Sequence, residues 1–195
     1  MMPYLSLAIW VPIVAGLGVL AAGRDPRTAR WIALVGAVVG SLVALPLWLH
    51  FEPGTSDLQF VEHLEWIPRF DINYFLGVDG ISMLFVLLNS LTTVFVVWAG
   101  WEVIQTRVAQ YMAAFLIMSG LINGAFAAVD GILFYVFFEA MLIPMYIIIG
   151  VWGGPNRVYA AVKFFLYTLL GSLLMLVAML YLYDKSGGSF SIVDW

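Results

Sequence analysis

One carboxylate lies in the middle of a long apolar stretch, where ionisable side chains are rare. The stretch runs from Gly131 to Gly150, and at about 1.5 Å per residue it spans about 30 Å, the thickness of a bilayer's hydrocarbon core. An acid at the depth of Glu139 costs about 2.5–3.5 kcal/mol to insert, and such acids usually serve ion or proton pathways. Pro144 has no N–H for the carbonyl of Ala140, so a free backbone acceptor lies beside the carboxylate. This combination favours a proton pathway, with a purely structural buried acid, and a simple packing kink at the proline, as the alternatives.

Other polar residues are expected at the level of Glu139. The turn at Asp130 is so short that its flanking spans must form an antiparallel hairpin, which places Asn123 and Glu139 about 10–14 Å below it. Tyr135 and Tyr146, four residues before and seven after Glu139, fall on its helical stripe. We therefore predict a polar layer in which Asn123, Tyr135 and Tyr146 hold conducting waters. Asp130 itself is most simply predicted as the N-cap of the following helix, and for Asn123 the alternative is inter-helix hydrogen bonding.

Lys163 is the second ionisable residue within an apolar span. It lies about 8–9 Å from the end of its span, and its level differs from that of Glu139 by about 11 Å along the membrane normal. A water-bridged link to Glu139 is therefore favoured over a direct ion pair, which makes Lys163 a candidate proton relay. The alternative is an anchoring lysine that extends its amine to the interface. Tyr167 and Gly171 are expected to continue its face of the helix.

The composition is that of a polytopic helical membrane protein. Hydrophobic residues make up 64% of the 195 residues and charged residues 10%, so the fold class is predicted as all-α integral membrane. The absence of cysteine excludes iron–sulfur ligation and disulfides within the chain. The net charge of −4 gives no support to nucleic-acid binding. The predicted partner is the lipid bilayer.

Six transmembrane helices are predicted, with the N-terminus outside. Residues 50–79 form the one long connection, acidic and interleaved with aromatic residues, and we expect it to lie along the membrane surface or against a partner. Of the 8 basic residues, five fall in loops on one side and two on the other, which places the N-terminus and the acidic loop outside. Close helix approach is expected at the small-xxx-small pattern Gly120–Gly124. The spans run approximately over 2–22, 31–49, 80–100, 111–129, 131–150 and 158–183.

Residues 66–83, 137–153 and 163–172 contain specific runs, among them the octet EAMLIPMY that begins at Glu139. These three segments resemble subunit M (chain 4) of proton-translocating NADH-quinone oxidoreductase, respiratory complex I. The likeness covers nearly the whole chain and is most specific in the octet that begins at Glu139. It implies the N-terminal fragment of an antiporter-like subunit of roughly fourteen helices. Residues 1–128 would be helices one to four with the external acidic loop, and residues 129–195 the truncated start of the proton-translocation domain. The segments are FFEAMLIPMYIIIGVWG (137–153), KFFLYTLLGS (163–172) and WIPRF…GVDGISM (66–83).

The resemblance implies a function in coupling NADH oxidation and quinone reduction to proton transport in a bacterial inner membrane. The family's key glutamate of the fifth helix falls on Glu139, while its partner lysine on the seventh helix would lie beyond Trp195. NADH, FMN, iron–sulfur clusters and quinone would be bound by other subunits, and other membrane subunits of complex I would be the partners. The alternatives are a homologous subunit of a cation/proton antiporter or membrane-bound hydrogenase, and a non-transporting scaffold. The carried ion, H⁺ or Na⁺, and the quinone stay open.

Overall fold

Six long helices form a bundle in the computed structural model, which describes residues 2–22 and 25–195. Each helix is long and apolar enough to cross a membrane, so the predicted six-span all-α membrane fold is confirmed. Consecutive helices run in opposite directions, because each connection joins two helices at the same end of the bundle. The helices are α1 Tyr4–Ala22, α2 Pro26–Leu49, α3 Gly80–Val103, α4 Val108–Ala127, α5 Gly131–Trp152 and α6 Arg157–Lys185.

The second helix begins five residues before the predicted start at Trp31. Asp25 caps it, because its Oδ2 accepts hydrogen bonds from Thr28 N at 3.0 Å and from Thr28 Oγ1 at 2.8 Å, and Pro26 follows as the first helical residue. An acidic cap followed by proline is a helix start signal. The basic residues of this segment lower its hydropathy, so a prediction from hydropathy places the start of the helix too late. Arg24, which contributes to the predicted orientation, lies outside the described residues.

The acidic connection contains a β-hairpin, which the sequence did not predict. Strand β1 (Gln59–Ile67) pairs with β2 (Ile72–Val78) in antiparallel register, with Leu64 opposite Tyr74. A single 3₁₀ turn and Asp71 in the left-handed conformation, at φ 52°, reverse the chain between them. The hairpin packs on the bundle end at which α1, α3 and α5 begin, while Arg27, Arg30, Arg107 and Arg157 lie towards the other end.

Helix α4 contacts each of the first three helices and meets α1 closely. A Cβ added at Gly120 would lie 2.4 Å from the carbonyl oxygen of Ile9 and 2.5 Å from Ile13 Cγ1. A Cβ at Gly124 would lie 2.6 Å from the ring of Phe137 on α5. The predicted small-xxx-small approach is therefore confirmed on both sides of α4. Helix α6 packs mainly against α5 and leaves most of its surface exposed.

An extended connection orders the start of α5. Residues 128–130 pair with β2 on one side, where Val129 N donates to Phe75 O at 2.9 Å, and with the C-terminal segment on the other. There Ile192 N donates to Val129 O at 2.9 Å and Gly131 N to Phe190 O at 2.8 Å. The hairpin, this connection and residues 189–195, together called the cap layer below, therefore hold α5 and α6 at one end of the bundle.

We expect Gly120→Ala to destabilise the protein by about 1–3 kcal/mol, because the new methyl must push α1 and α4 apart in a packed contact. Thermal unfolding of the detergent-purified protein measures the effect. Gly18→Ala is the matched control, since a Cβ at Gly18 meets nothing within 4 Å. Equal melting temperatures for the two variants would contradict the close approach at Gly120.

Candidate functional site

An asparagine on α4 makes the central hydrogen bond to α1, at a carbonyl that a proline leaves without its helical donor. Pro12 lies inside α1 and has no N–H for the carbonyl of Ala8, one turn earlier. Asn123 on α4 donates its Nδ2 to that carbonyl oxygen at 2.9 Å and to Ser90 Oγ at 3.2 Å. Its side chain is 1% exposed. Asn123 therefore replaces the backbone donor that Pro12 removes.

A second asparagine extends this contact across the bundle. Asn89 Nδ2 donates to Asn123 Oδ1 at 2.7 Å and to Ser119 O at 2.9 Å. Thr93 Oγ1 donates to Asn89 O at 2.8 Å and lies 2.8 Å from Ser119 Oγ. Ser41 of α2 donates to the carbonyl of Ser90 at 2.7 Å, so the network connects all of the first four helices. Because both amide hydrogens of Asn123 bond to protein, the geometry favours its inter-helix alternative over the predicted role in holding water.

Glu139 lies half-buried on α5. Its Oε1 is buried and has no hydrogen-bond partner within the part of the chain that the structure describes. One turn earlier, the hydroxyl of Tyr135 lies within reach of the side chains of Glu139 and of Ser172 on α6. A buried polar atom without a partner is costly, so such an atom calls for water, a proton or a further polar group.

The other residues of the predicted stripe also lie towards α6. Tyr146 packs edge-on against Phe165 of α6, with ring centroids 5.7 Å apart, and Glu139 lies between Tyr135 and Tyr146 along α5. Pro144 is buried, and α5 continues through it to Trp152. Because Pro144 has no N–H, the carbonyl of Ala140, the residue directly after Glu139, lacks its helical hydrogen-bond donor.

Lys163 lies on an exposed face of α6. Its Nζ is 5.6 Å from the ring centroid of Tyr159 and 5.9 Å from that of Tyr167, as expected for Tyr167 on its face. The face that packs on α5 is a different one, since Ala161 Cβ lies 3.6 Å from a Cβ position at Gly150. Two residues along a helix point about 200° apart, so Lys163 points away from α5. The structure does not bring Lys163 and Glu139 together, and a water bridge between them within these six helices has no geometric support.

Asp130 connects the start of α5 to the hairpin. Its Oδ1 accepts from Ile132 N and Leu133 N, both at 2.9 Å, which makes it the N-cap, while its Oδ2 accepts from Asn73 N of β2 at 2.9 Å. The side chain is 1% exposed. Burial raises the pKa of the Asp130 carboxyl, and the three backbone donors oppose that rise. The predicted N-cap is therefore also a tertiary contact that fixes the helix on which Glu139 lies.

Sequence reasoning missed a second carboxylate with a positioning role. Glu62 of β1 accepts hydrogen bonds from Leu5 N at 2.8 Å, from Ser6 N at 3.2 Å and from Ser6 Oγ. Tyr74 Oη lies 2.9 Å from Ser6 Oγ, and Trp10 Nε1 donates to the same Tyr74 oxygen at 3.2 Å. Glu62 therefore caps α1 from a distance of 56 residues along the chain, a relation that no local pattern signals. Among the described residues, no cluster of metal-ligating side chains occurs.

Part of the chain matches a protein family, and nearly all of it aligns with known proteins. Residues 128–194 match the family described as NADH:quinone oxidoreductase/Mrp antiporter, transmembrane. NADH-quinone oxidoreductase subunit M of Rhodobacter capsulatus is 49% identical over 94% of this chain and 36% of its own length. NADH-ubiquinone oxidoreductase chain 4 of Arabidopsis thaliana is 46% identical over 83% of this chain and 33% of its own length. Residues 128–194 are therefore similar to this antiporter-like membrane family, and most of the chain is similar to these two subunits.

Solved structures agree with the family's fold. A chain of respiratory complex I from Thermus thermophilus with bound NADH superimposes with a TM-score of 0.82 at 34% identity, over 97% of this chain and 38% of that chain. A chain of the Mrp complex from a Dietzia species gives 0.76 at 20% identity, over 95% of this chain and 20% of that one, which shows the fold alone. The chain spans about 36% of the length of its Rhodobacter relative. The six spans and the bacterial relatives agree with a multi-pass protein of a bacterial inner membrane.

We expect Asn123→Ala to destabilise the bundle by about 1–3 kcal/mol, because it leaves the Ala8 carbonyl buried without a donor. The cost should fall when Pro12→Ala is also present, since residue 12 then supplies the backbone N–H. Chemical or thermal unfolding of the wild type, both single variants and the double variant measures this coupling. An equal cost of Asn123→Ala in both backgrounds would show that the Ala8 bond is unimportant.

We expect Glu62→Ala to speed amide hydrogen exchange at residues 5 and 6 by about fivefold, since the loss of a helix cap costs about 1 kcal/mol. Hydrogen-exchange mass spectrometry on the detergent-purified protein resolves this segment. Glu65→Ala on the same strand is the control, because Glu65 is exposed. Equal exchange in the two variants would rule out a capping role for Glu62.

Proposed function

We propose that this chain is part of a proton-translocating membrane subunit of an NADH-quinone oxidoreductase. The observation that carries the proposal is the buried, unpartnered Oε1 of Glu139 in the middle of α5. This helix lies within the segment that matches the antiporter family. The names of the relatives, subunit M and chain 4 of NADH-quinone and NADH-ubiquinone oxidoreductases, support the same assignment.

Glu139 is the group that takes up and releases the proton. A positive charge that approaches a carboxyl group favours the carboxylate over the neutral acid, so a charge that moves nearby can drive proton release and uptake. The Tyr135 hydroxyl, within reach of both Glu139 and Ser172, is placed to pass a proton between the carboxyl and the α5–α6 interface. Protonation of Glu139 therefore links a change in local charge to proton movement.

The path from Glu139 towards the basic end of the bundle needs water. Tyr146 lies seven residues beyond Glu139, about 10 Å along the helix, which is too far for direct transfer. The carbonyl of Ala140, freed by Pro144, is a hydrogen-bond acceptor between these two levels. We infer that waters bound at this carbonyl and at Tyr146 complete the path.

Lys163 serves as a proton relay in this proposal only through groups that pack on the exposed face of α6. Its ammonium lies between Tyr159 and Tyr167, away from α5, so it exchanges protons with side chains outside this six-helix unit.

The proposed organisation divides the chain at about residue 128. The hydrogen-bond network of Asn89 and Asn123 joins α1 to α4, which supports a unit of residues 1–128. Helices α5 and α6 pack on each other, which supports residues 129–195 as the start of the translocation domain. The position of four arginines at the end opposite the acidic hairpin supports an external N-terminus.

The redox chemistry belongs to other subunits in this proposal. NADH, FMN, iron–sulfur clusters and quinone would bind there, and the lack of cysteine in this sequence supports that division for the clusters. The partners are the other membrane subunits of the complex. This chain's contribution is the protonatable carboxyl and the helix contacts that hold it.

We expect Glu139→Gln to abolish proton pumping and to lower quinone-coupled NADH oxidation by about a hundredfold, the lower end of the range for loss of a positioned acid–base group. Inverted membrane vesicles that contain the intact complex allow both rates to be measured, with assembly checked on native gels. Glu102→Gln is the matched control, because Glu102 is an exposed acid at the basic end of α3. An assembled Glu139→Gln complex with normal pumping would favour the non-transporting scaffold instead.

A further inference from the structure

A lateral groove runs between α4 and α5 on the half of the bundle that carries the arginines. Its volume is about 370 Å³ and its lining is almost wholly apolar. Ala113 and Ala114 of α4 form a low floor, while Ile143 and Ile147 of α5 form the wall beside Pro144. Small residues on one helix and branched residues on the other therefore leave a concave strip on the outer surface of these six helices.

A cation and an amide lie at the mouth of this groove. Arg107, the residue before α4, and Gln110, on its first turn, line the groove and are exposed. In the described ranges, 2–22 and 25–195, the Arg107 guanidinium makes no hydrogen bond or ion pair. Arg27, Arg30 and Arg157 lie towards the same end of the bundle, so the mouth is in an electropositive region.

The length of the groove matches one leaflet. From Arg107 at the mouth to Ile117 at the inner end is ten residues of helix, or about 15 Å at 1.5 Å per residue. The hydrocarbon core is about 30 Å thick, so the groove reaches from the interface to the midplane. An extended acyl chain of one leaflet covers the same depth.

We propose that this groove binds an anionic glycerophospholipid, with the phosphate at Arg107 and one acyl chain along α4 and α5. The guanidinium fork pairs with phosphate oxygens, and Gln110 offers a donor and an acceptor to the head group or ester. Charge complementarity selects anionic over zwitterionic lipid at this electropositive end. The acyl chain fills the space beside Pro144, whose buried ring is apolar and presents no backbone N–H to the lipid.

Photo-crosslinking of the intact complex in nanodiscs tests the lipid. The discs consist of phosphatidylcholine with a small fraction of phosphatidylglycerol that carries a diazirine near the acyl terminus, and mass spectrometry maps the adducts. We expect adducts on α4 and α5 around Ile117 and Ile143. We expect them to fall several-fold in Arg107→Gln and to persist in Arg107→Lys, which keeps the charge.

Two controls make the outcome decisive. Arg157→Gln removes an arginine towards the same end that does not line the groove, and it should leave the adducts unchanged. A phosphatidylcholine diazirine probe should label the groove several-fold less. Equal labelling by both probes with no dependence on Arg107 would overturn the proposal in favour of ordinary boundary lipid. An absence of adducts in the assembled complex would overturn it in favour of a groove covered by polypeptide.

Discussion

The carbonyl of Ala8 illustrates the constraint on which this bundle depends. In hydrocarbon there is no water for an unpaired backbone group, so every helix break must be satisfied by the protein. Pro12 creates such a break in α1, and Asn123 repairs it from α4. That bond requires α1 and α4 to approach closely, which the small residues of α4 allow. Pro12, Asn123 and Gly120 thus set the geometry of this helix pair.

The polar groups of the bundle divide into a satisfied set and an unsatisfied one. Between α1 and α4 the asparagines, serines and threonine hydrogen-bond to one another and to free carbonyls. Along α5, Pro144 has no N–H for the carbonyl of Ala140, and the buried Oε1 of Glu139 has no hydrogen-bond partner among the described residues. The first arrangement stabilises a fixed structure. The second leaves hydrogen-bonding capacity for protons and water, which is what a translocation path requires.

Carboxylates outside the hydrocarbon fix the ends of the helices. Glu62 satisfies the first amides of α1, and Asp130 satisfies those of α5 while it also binds β2. A negative group at a helix N-terminus interacts favourably with the helix dipole. Both contacts attach the hairpin to the bundle, so the cap layer fixes where α5, and with it Glu139, begins. At the opposite end, the residues that the structure describes form no such layer and include arginines, one of them above an apolar groove.

The sequence by itself determined the features that depend on neighbours along the chain. Hydropathy fixed the six spans, the Asp130 turn fixed the α4–α5 hairpin, and helical spacing placed Tyr135 and Tyr146 on the stripe of Glu139. Only the tertiary structure decided that residues 59–78 form a hairpin, because its strands gain much of their stability from docking on the bundle. The same holds for Glu62 on α1 and for the direction of Lys163, which depends on which face of α6 packs against Gly150. These contacts join residues far apart in sequence, and no period or local motif encodes them.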